Sequence, residues 1–187
     1  MIWDNNEDIR LVRCENRPRV IQQHLNACRD ERRPYVFITP TMRMVTDIRR
    51  ILVPVTMLEE EVYKAEISTY LARKTGATII LLPAHDFGSR AKTNMGKIIS
   101  HIQAVNQRPQ ADIRYEIGEA RKDSFRLYVE AAERQRDFGH QLLLLTASRE
   151  YGWDDILFGP IERKAIVRSQ VPVMLVNPRA DLFSLCD

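Results

Sequence analysis

Cysteine is scarce in this chain: Cys14, Cys28 and Cys186 are the three present among 187 residues. Their odd number and scattered spacing exclude a disulfide framework or a zinc knuckle. We expect reduced thiols and a reducing compartment. Long apolar runs are also missing. No stretch approaches the ~18–20 residues that span a bilayer, and the opening MIWDNNEDIR has no basic region followed by an apolar one. A membrane span and a secretory leader are therefore not expected, and the predicted location is cytoplasmic. The histidines lack metal-ligand spacing such as His-x3-His, so His24, His101 and His140 read as surface or core residues, with no metal site.

The composition that remains, 44% hydrophobic and 28% charged, is that of a globular protein, neither disordered nor fibrous. Its formal charge of +3 is localised: residues 1–50 hold ten arginines and seven acids, while the other 137 residues hold 18 bases and 18 acids. Acids interrupt the arginines and stacking aromatics are few. A salt-bridged, solvated face is the reading, and nucleic acid is not an expected partner.

From residue 50 onward strands and helices alternate. Ile51–Val55 is a short apolar run of the kind found in a strand covered on both faces. In 59–75, Tyr63, Ile67, Tyr70 and Leu71 predict one buried helix face, with Gly76 as a left-handed cap. A second strand is expected at Thr78–Leu82, then a polar loop from His85 to Gly96, then a helix around Lys97–Asn106. Ile113, Tyr115 and Ile117 alternate with polar residues, which predicts an edge strand. Asp123 or Ser124 is expected to cap a helix burying Phe125, Tyr128, Val129 and Ala132. Leu142–Leu145 reads as a fourth strand, Gly159-Pro160 as a helix start, and Val173–Val176 as a fifth strand. Such alternation predicts an α/β fold with a parallel sheet and helices on both faces.

RRILVPVT, ARKTGATIILLPA and LLLLTASREYGWDDILFGPIERKAIVRSQVPVMLVNP together resemble the universal stress protein family over about residues 48–178. The resemblance implies a five-stranded parallel sheet of order 3-2-1-4-5, homodimers in many members, and a ligand site where strand order reverses, between strands one and four. ATP-binding members carry an Asp after strand one and a Gly-x2-Gly-x9-Gly-Ser loop after strand four. Here Thr56 stands at the Asp, Thr146 and Arg149 at the first two glycines, and Pro160 at the serine; Gly159 alone matches. The candidate ligand-binding set is Thr56, Ala84, Thr146, Ser148, Arg149, Gly159 and Pro160. Side chains at 146 and 149 restrict the backbone and fill phosphate space, and Pro160 removes an N–H and a hydroxyl. Arg149 compensates in part by charge.

These departures predict a non-catalytic stress or regulatory module, acting through dimerisation and contacts with an unidentified protein partner, without an ATP or AMP cofactor. The alternative is a nucleotide-binding sensor whose altered loop still holds ATP or AMP. His85 and Asp86 lie near the same sheet end but have no nucleophile tied to them by sequence. Ser148 lacks a Gly-x-Ser-x-Gly setting.

Residues 1–46 read as a separate βαβ-like appendage before a domain at 47–187. Its expected parts are a strand at Ile9–Cys14, a helix at Arg19–Arg29 and a strand at Tyr35–Thr39. Pro34 and Pro40 match Pro172 and Pro178 at one offset of 138 residues. This implies the tail of a preceding repeat whose front half is missing; a chance edge strand is the alternative. Either way Tyr35–Thr39 is expected to pair with Val173–Val176, within one chain or by exchange between two.

Overall fold

The structure is a computed structural model, and it describes residues 8–43, 46–106, 113–148 and 160–178. Its strands are β1 (Arg10–Arg13), β2 (Tyr35–Ile38), β3 (Arg50–Val55), β4 (Thr78–Pro83), β5 (Tyr115–Ile117), β6 (Leu142–Thr146) and β7 (Val173–Val176). Its helices are α1 (Pro18–Ala27), α2 (Lys64–Thr75), α3 (Ser89–Asn106), α4 (Leu127–Glu133), α5 (Gln135–Phe138) and α6 (Ile161–Arg168), with a 3-10 turn at Glu59–Tyr63 before α2. No described helix is long and apolar enough to cross a membrane.

All strands join one seven-stranded sheet in the order β1-β2-β7-β6-β3-β4-β5. The expected sheet of five is thereby corrected to seven, because β2 hydrogen-bonds to β7 and brings β1 with it. The strands from β3 onward occupy consecutive places, β5-β4-β3-β6-β7. Every pairing is parallel except β2 with β7. β2, β6 and β7 are buried along their whole length, as continuous apolar runs in a sheet covered on both faces should be. Helices α2 and α3 pack on each other, and α4, α6 and α1 form a second contiguous group.

Four local expectations are corrected. The predicted stripe along α2 holds at Leu71, which is buried, and at Tyr63 and Ile67, which pack partly buried against the core, but Tyr70 is exposed, and Lys64, Ala65, Ser68, Thr69 and Ala72 complete the buried face. Small residues permit close approach, and the hydroxyls of Ser68 and Thr69 donate to the Ala65 carbonyl at 2.9 and 2.7 Å, which removes their burial cost. Helix α3 begins at Ser89, well inside the predicted loop, since Ala91, Met95, Ile98, Ile102 and Val105 make one buried stripe. Helix α4 starts after Arg126 with no side-chain cap, leaving Phe125 78% exposed, because Ser124 is engaged with Asp86 rather than with the helix. Pro160 is the residue before α6 rather than its first.

The N-terminal βαβ unit is fixed to β7 by a symmetric register. Tyr35 faces Leu175, Val36 faces Met174 and Phe37 faces Val173. Val36 and Met174 stand at the same offset of 138 residues as Pro34 and Pro172. Each strand thus meets the other as equivalent strands meet across a two-fold axis. Asn177 locks the junction: its amide donates to the carbonyls of Cys28, Arg29 and Glu31 at 2.7, 3.1 and 2.8 Å and accepts from the Tyr35 hydroxyl at 3.0 Å. The Cys28 carbonyl is at the cap of α1, and those of Arg29 and Glu31 belong to the turn that follows. Deleting residues 1–46 should bare the edge of the wholly apolar β7 and cause aggregation or a new oligomeric state in sedimentation velocity; a truncated chain with the parent's sedimentation and melting would contradict this pairing.

Candidate functional site

Strands β3 and β6 are neighbours, yet their pairing stops early. Ile51 is opposite Leu142 and Leu52 opposite Leu143, and no register continues beyond. Pro54 has no amide hydrogen to extend the ladder. The carboxyl ends of the two strands separate, and a cavity of about 470 Å3 opens there, the position where open α/β sheets bind ligands. Thr56, Met57, Tyr128, Thr146, Ser148 and Lys164 are among its walls.

Four buried side chains take over the missing backbone bonds at the floor. The Lys64 ammonium donates to the Pro54 carbonyl and pairs with the Glu61 carboxylate. Glu61 also accepts from the hydroxyls of Thr56 at 3.0 Å and Tyr128 at 2.7 Å. The Tyr128 oxygen in turn accepts from the Thr146 amide at 3.3 Å. Side-chain exposure is 0% at Lys64 and 1% at Glu61. Burial pulls the Lys64 ammonium below its ordinary value, against the pull of Glu61. Burial first, and the Glu61 charge second, push the Tyr128 phenol well above its own. An ion pair this deep is helped by hydrogen bonds beyond the pair, from Lys64 to Pro54 and from Thr56 and Tyr128 to Glu61.

A second carboxylate closes the β6 side. Glu162, in the first turn of α6 and buried, accepts from the Ser148 amide. The chain thereby places a carboxylate of its own on an amide at the carboxyl end of β6. On the β3 side, Asp86 accepts from the amide of Ser124 at 2.9 Å and from its hydroxyl. Ser124 Oγ accepts from the Met57 amide at 3.1 Å. Loops after β3 and β4 and the segment before α4 are thereby tied together.

No protein-family model and no curated protein sequence matches the chain. Solved structures do. A universal stress protein from Archaeoglobus fulgidus superposes with a TM-score of 0.66 at 12% identity, over 93% of this chain and 62% of its own. This chain has the universal stress protein fold. A putative universal stress protein from Pseudomonas aeruginosa gives a TM-score of 0.57 at 13% identity, over 93% of this chain and 65% of its own. A universal stress protein in complex with cAMP gives 0.54 at 14% identity, over 72% of this chain and all of its own. The chain thus spans under two thirds of the length of the first two.

Within the universal stress protein fold, the predicted site residues divide. Thr56, Thr146 and Ser148 meet at the cavity. Ala84 does not: its amide donates to the Val55 carbonyl at 2.9 Å, and it lines a different depression with His85 and Gly118. Pro160 stands beside the cavity residue Ile161 without lining the space. Arg149 and Gly159 lie outside the described residues, as does Cys186. Among the described residues no group of three or more His, Cys, Asp and Glu is placed to hold a metal. Glu61, Lys64, Tyr128, Ser124 and Glu162 escaped the sequence reading as site residues. A signal existed in the i,i+3 spacing of Glu61 and Lys64 and in a proline within a central strand, but an acidic EEE run reads more readily as solvated surface.

Of the histidines, His140 is in the core, between α5 and β6, fully buried, and neither ring nitrogen has a hydrogen-bond partner among the described residues. Burial, helped by the Arg50 charge, lowers its pKa to about 4. The ordinary value in an unfolded chain is about 6.5. A depressed folded value means that neutral His140 supports the fold above about pH 6.5 and that this support is lost as pH falls towards 4. The shift corresponds to about 3 kcal/mol. Melts from pH 7 to pH 4 should show this slope in the parent and a flatter one in His140→Leu; equal slopes would contradict the assignment.

Proposed function

We propose that this chain is a non-catalytic, universal stress protein-like regulatory or stress-response module that acts through dimerisation and partner contacts, with weak or no ATP binding. The carrying observation is the floor of the switch-point cavity, where Glu61, Lys64, Thr56 and Tyr128 satisfy one another and Glu162 takes the Ser148 amide. A triphosphate entering here meets carboxylates where it needs donors, and like charge at short range in a partly desolvated site costs several kcal/mol. The acyl-transfer arrangement that would support catalysis is not assembled among the described residues. Ser124 gives its hydroxyl proton to Asp86, while the His85 ring stacks edge-on to Phe87 at 5.4 Å between centroids.

Homodimerisation belongs to this proposal, but it has to use another surface than the β7 edge, which β2 covers. The opposite end of the sheet offers one, since Tyr115 and Ile117 of the edge strand β5 are exposed. We place the protein in the cytoplasm, in keeping with the unpaired thiols of Cys14 and Cys28. A second reading, a sensor that keeps ATP or AMP, is favoured by the cavity remaining open and by Lys164 at its wall.

Titration calorimetry decides between them. We expect ATP to bind no tighter than about 100 μM, about −5.5 kcal/mol. Low-micromolar ATP affinity abolished by Arg149→Ala would overturn the proposal and establish the sensor.

A further inference from the structure

A trough of about 590 Å3 runs between α4 and α6 and shares Phe125, Ile161 and Lys164 with the mouth of the switch-point cavity. Six cations line it against two carboxylates, Glu130 and Glu133. Both carboxylates are already engaged. Glu130 pairs with Arg134 at 2.6 Å and accepts from the amides of Arg121 and Lys122, at 2.8 Å each. Glu133 pairs with Arg168. Arg121, Lys122, Arg126 and Lys164 are left lining one trough without a salt bridge to a carboxylate among the described residues, and Arg121 is reached only by the charge of the exposed Asp137.

Such a cluster is unfavourable by itself, because like charges on neighbouring turns repel. Residues 51–187 carry equal numbers of bases and acids, so the cluster is a local concentration within a balanced segment. The Glu130 bonds to two successive amides fix the backbone from which Arg121 and Lys122 project, so part of the ordering cost is met before any ligand arrives. Phe125, Val129 and Ile161 add an apolar wall. The volume falls in the range of small-molecule sites, about 300–1,000 Å3.

We propose that the α4–α6 trough binds a small organic polyanion carrying two or three phosphate or carboxylate groups, held by Arg121, Lys122, Arg126 and Lys164, with a short apolar portion against Phe125. The recognition is by side-chain cations, charge-assisted and multidentate at the arginines. It uses none of the loop amides of the switch point and stands independently of whether that cavity holds a nucleotide.

Inorganic tripolyphosphate is the probe, titrated calorimetrically into the full chain at about 50 mM salt, where screening is modest. Saturable one-to-one binding is expected, weakened about tenfold or more in Lys122→Ala/Arg126→Ala, since charge-assisted contacts of this kind are each worth a kcal/mol or more. The control pair Arg90→Ala/Lys92→Ala, on α3, should bind as the parent does. Both pairs are exposed, and unchanged melting curves verify the fold. No saturable binding, an unaffected Lys122→Ala/Arg126→Ala variant, or equal loss in the control pair would overturn the proposal. ATP discriminates the two sites: binding through the trough falls with Lys122→Ala/Arg126→Ala and survives Arg149→Ala, whereas binding at the switch point does the reverse.

Discussion

Pro54 is the last but one residue of a central strand, Arg50–Val55, and much of the site depends on that placement. A proline there gives no hydrogen to the neighbouring strand, and the pairing of β3 with β6 ends at Leu52 and Leu143. Buried backbone groups left by such a break need partners, since an unpaired polar group costs about 1–3 kcal/mol. Lys64 reaches the Pro54 carbonyl, and Tyr128 reaches the Thr146 amide. Burying an ammonium requires a counter-charge, which Glu61 provides, and the spare valence of Glu61 is filled by Thr56 and Tyr128. A ladder interruption, an ion pair and two hydroxyl contacts form one continuous unit.

That unit changes what the switch point can do. In an open α/β sheet the carboxyl ends of the strands offer free amides and helix termini to an anion. Here an internal carboxylate, Glu162, occupies the Ser148 amide, and the floor donors Lys64, Thr56 and Tyr128 are already spent on Glu61. Cations gather instead in the segment before α4 and on α6, at Arg121, Lys122, Arg126 and Lys164. The fold is retained while the chemistry of its crevice is internal, in line with the rule that function resides in a site and not in a fold.

Much of the architecture was legible because long apolar runs in strand context, Ile51–Val55 and Leu142–Leu145 among them, have few alternatives once helices separate them. The two prolines flanking each of β2 and β7, at one offset, marked the two strands that the structure pairs. Helix faces were harder. Tyr70 of α2 misleads, because beside Leu71 the helix packs through Ala65, Ser68, Thr69 and Ala72, whose small size is what permits the approach. Helix α3 was foreshortened because Gly88 and the polar residues after it read as loop, while the buried stripe from Ala91 continues the helix. Of the site, Thr56, Thr146 and Ser148 were found by their place after strands. Glu61 and Lys64 were not, since charged residues at helical spacing are ordinarily solvated and nothing local reports that a proline ten residues earlier needs a donor.

A double-mutant cycle on Glu61 and Lys64, read by denaturant unfolding, tests most directly whether the crevice is held by this internal pair. Glu61→Gln and Lys64→Met should each destabilise by about 3–5 kcal/mol, as removal of one partner of a buried pair does. The double variant should lose much less than the sum, with a coupling of about 2 kcal/mol or more. Additive losses, within about 0.5 kcal/mol, would show that the two charges do not depend on each other and would contradict the account.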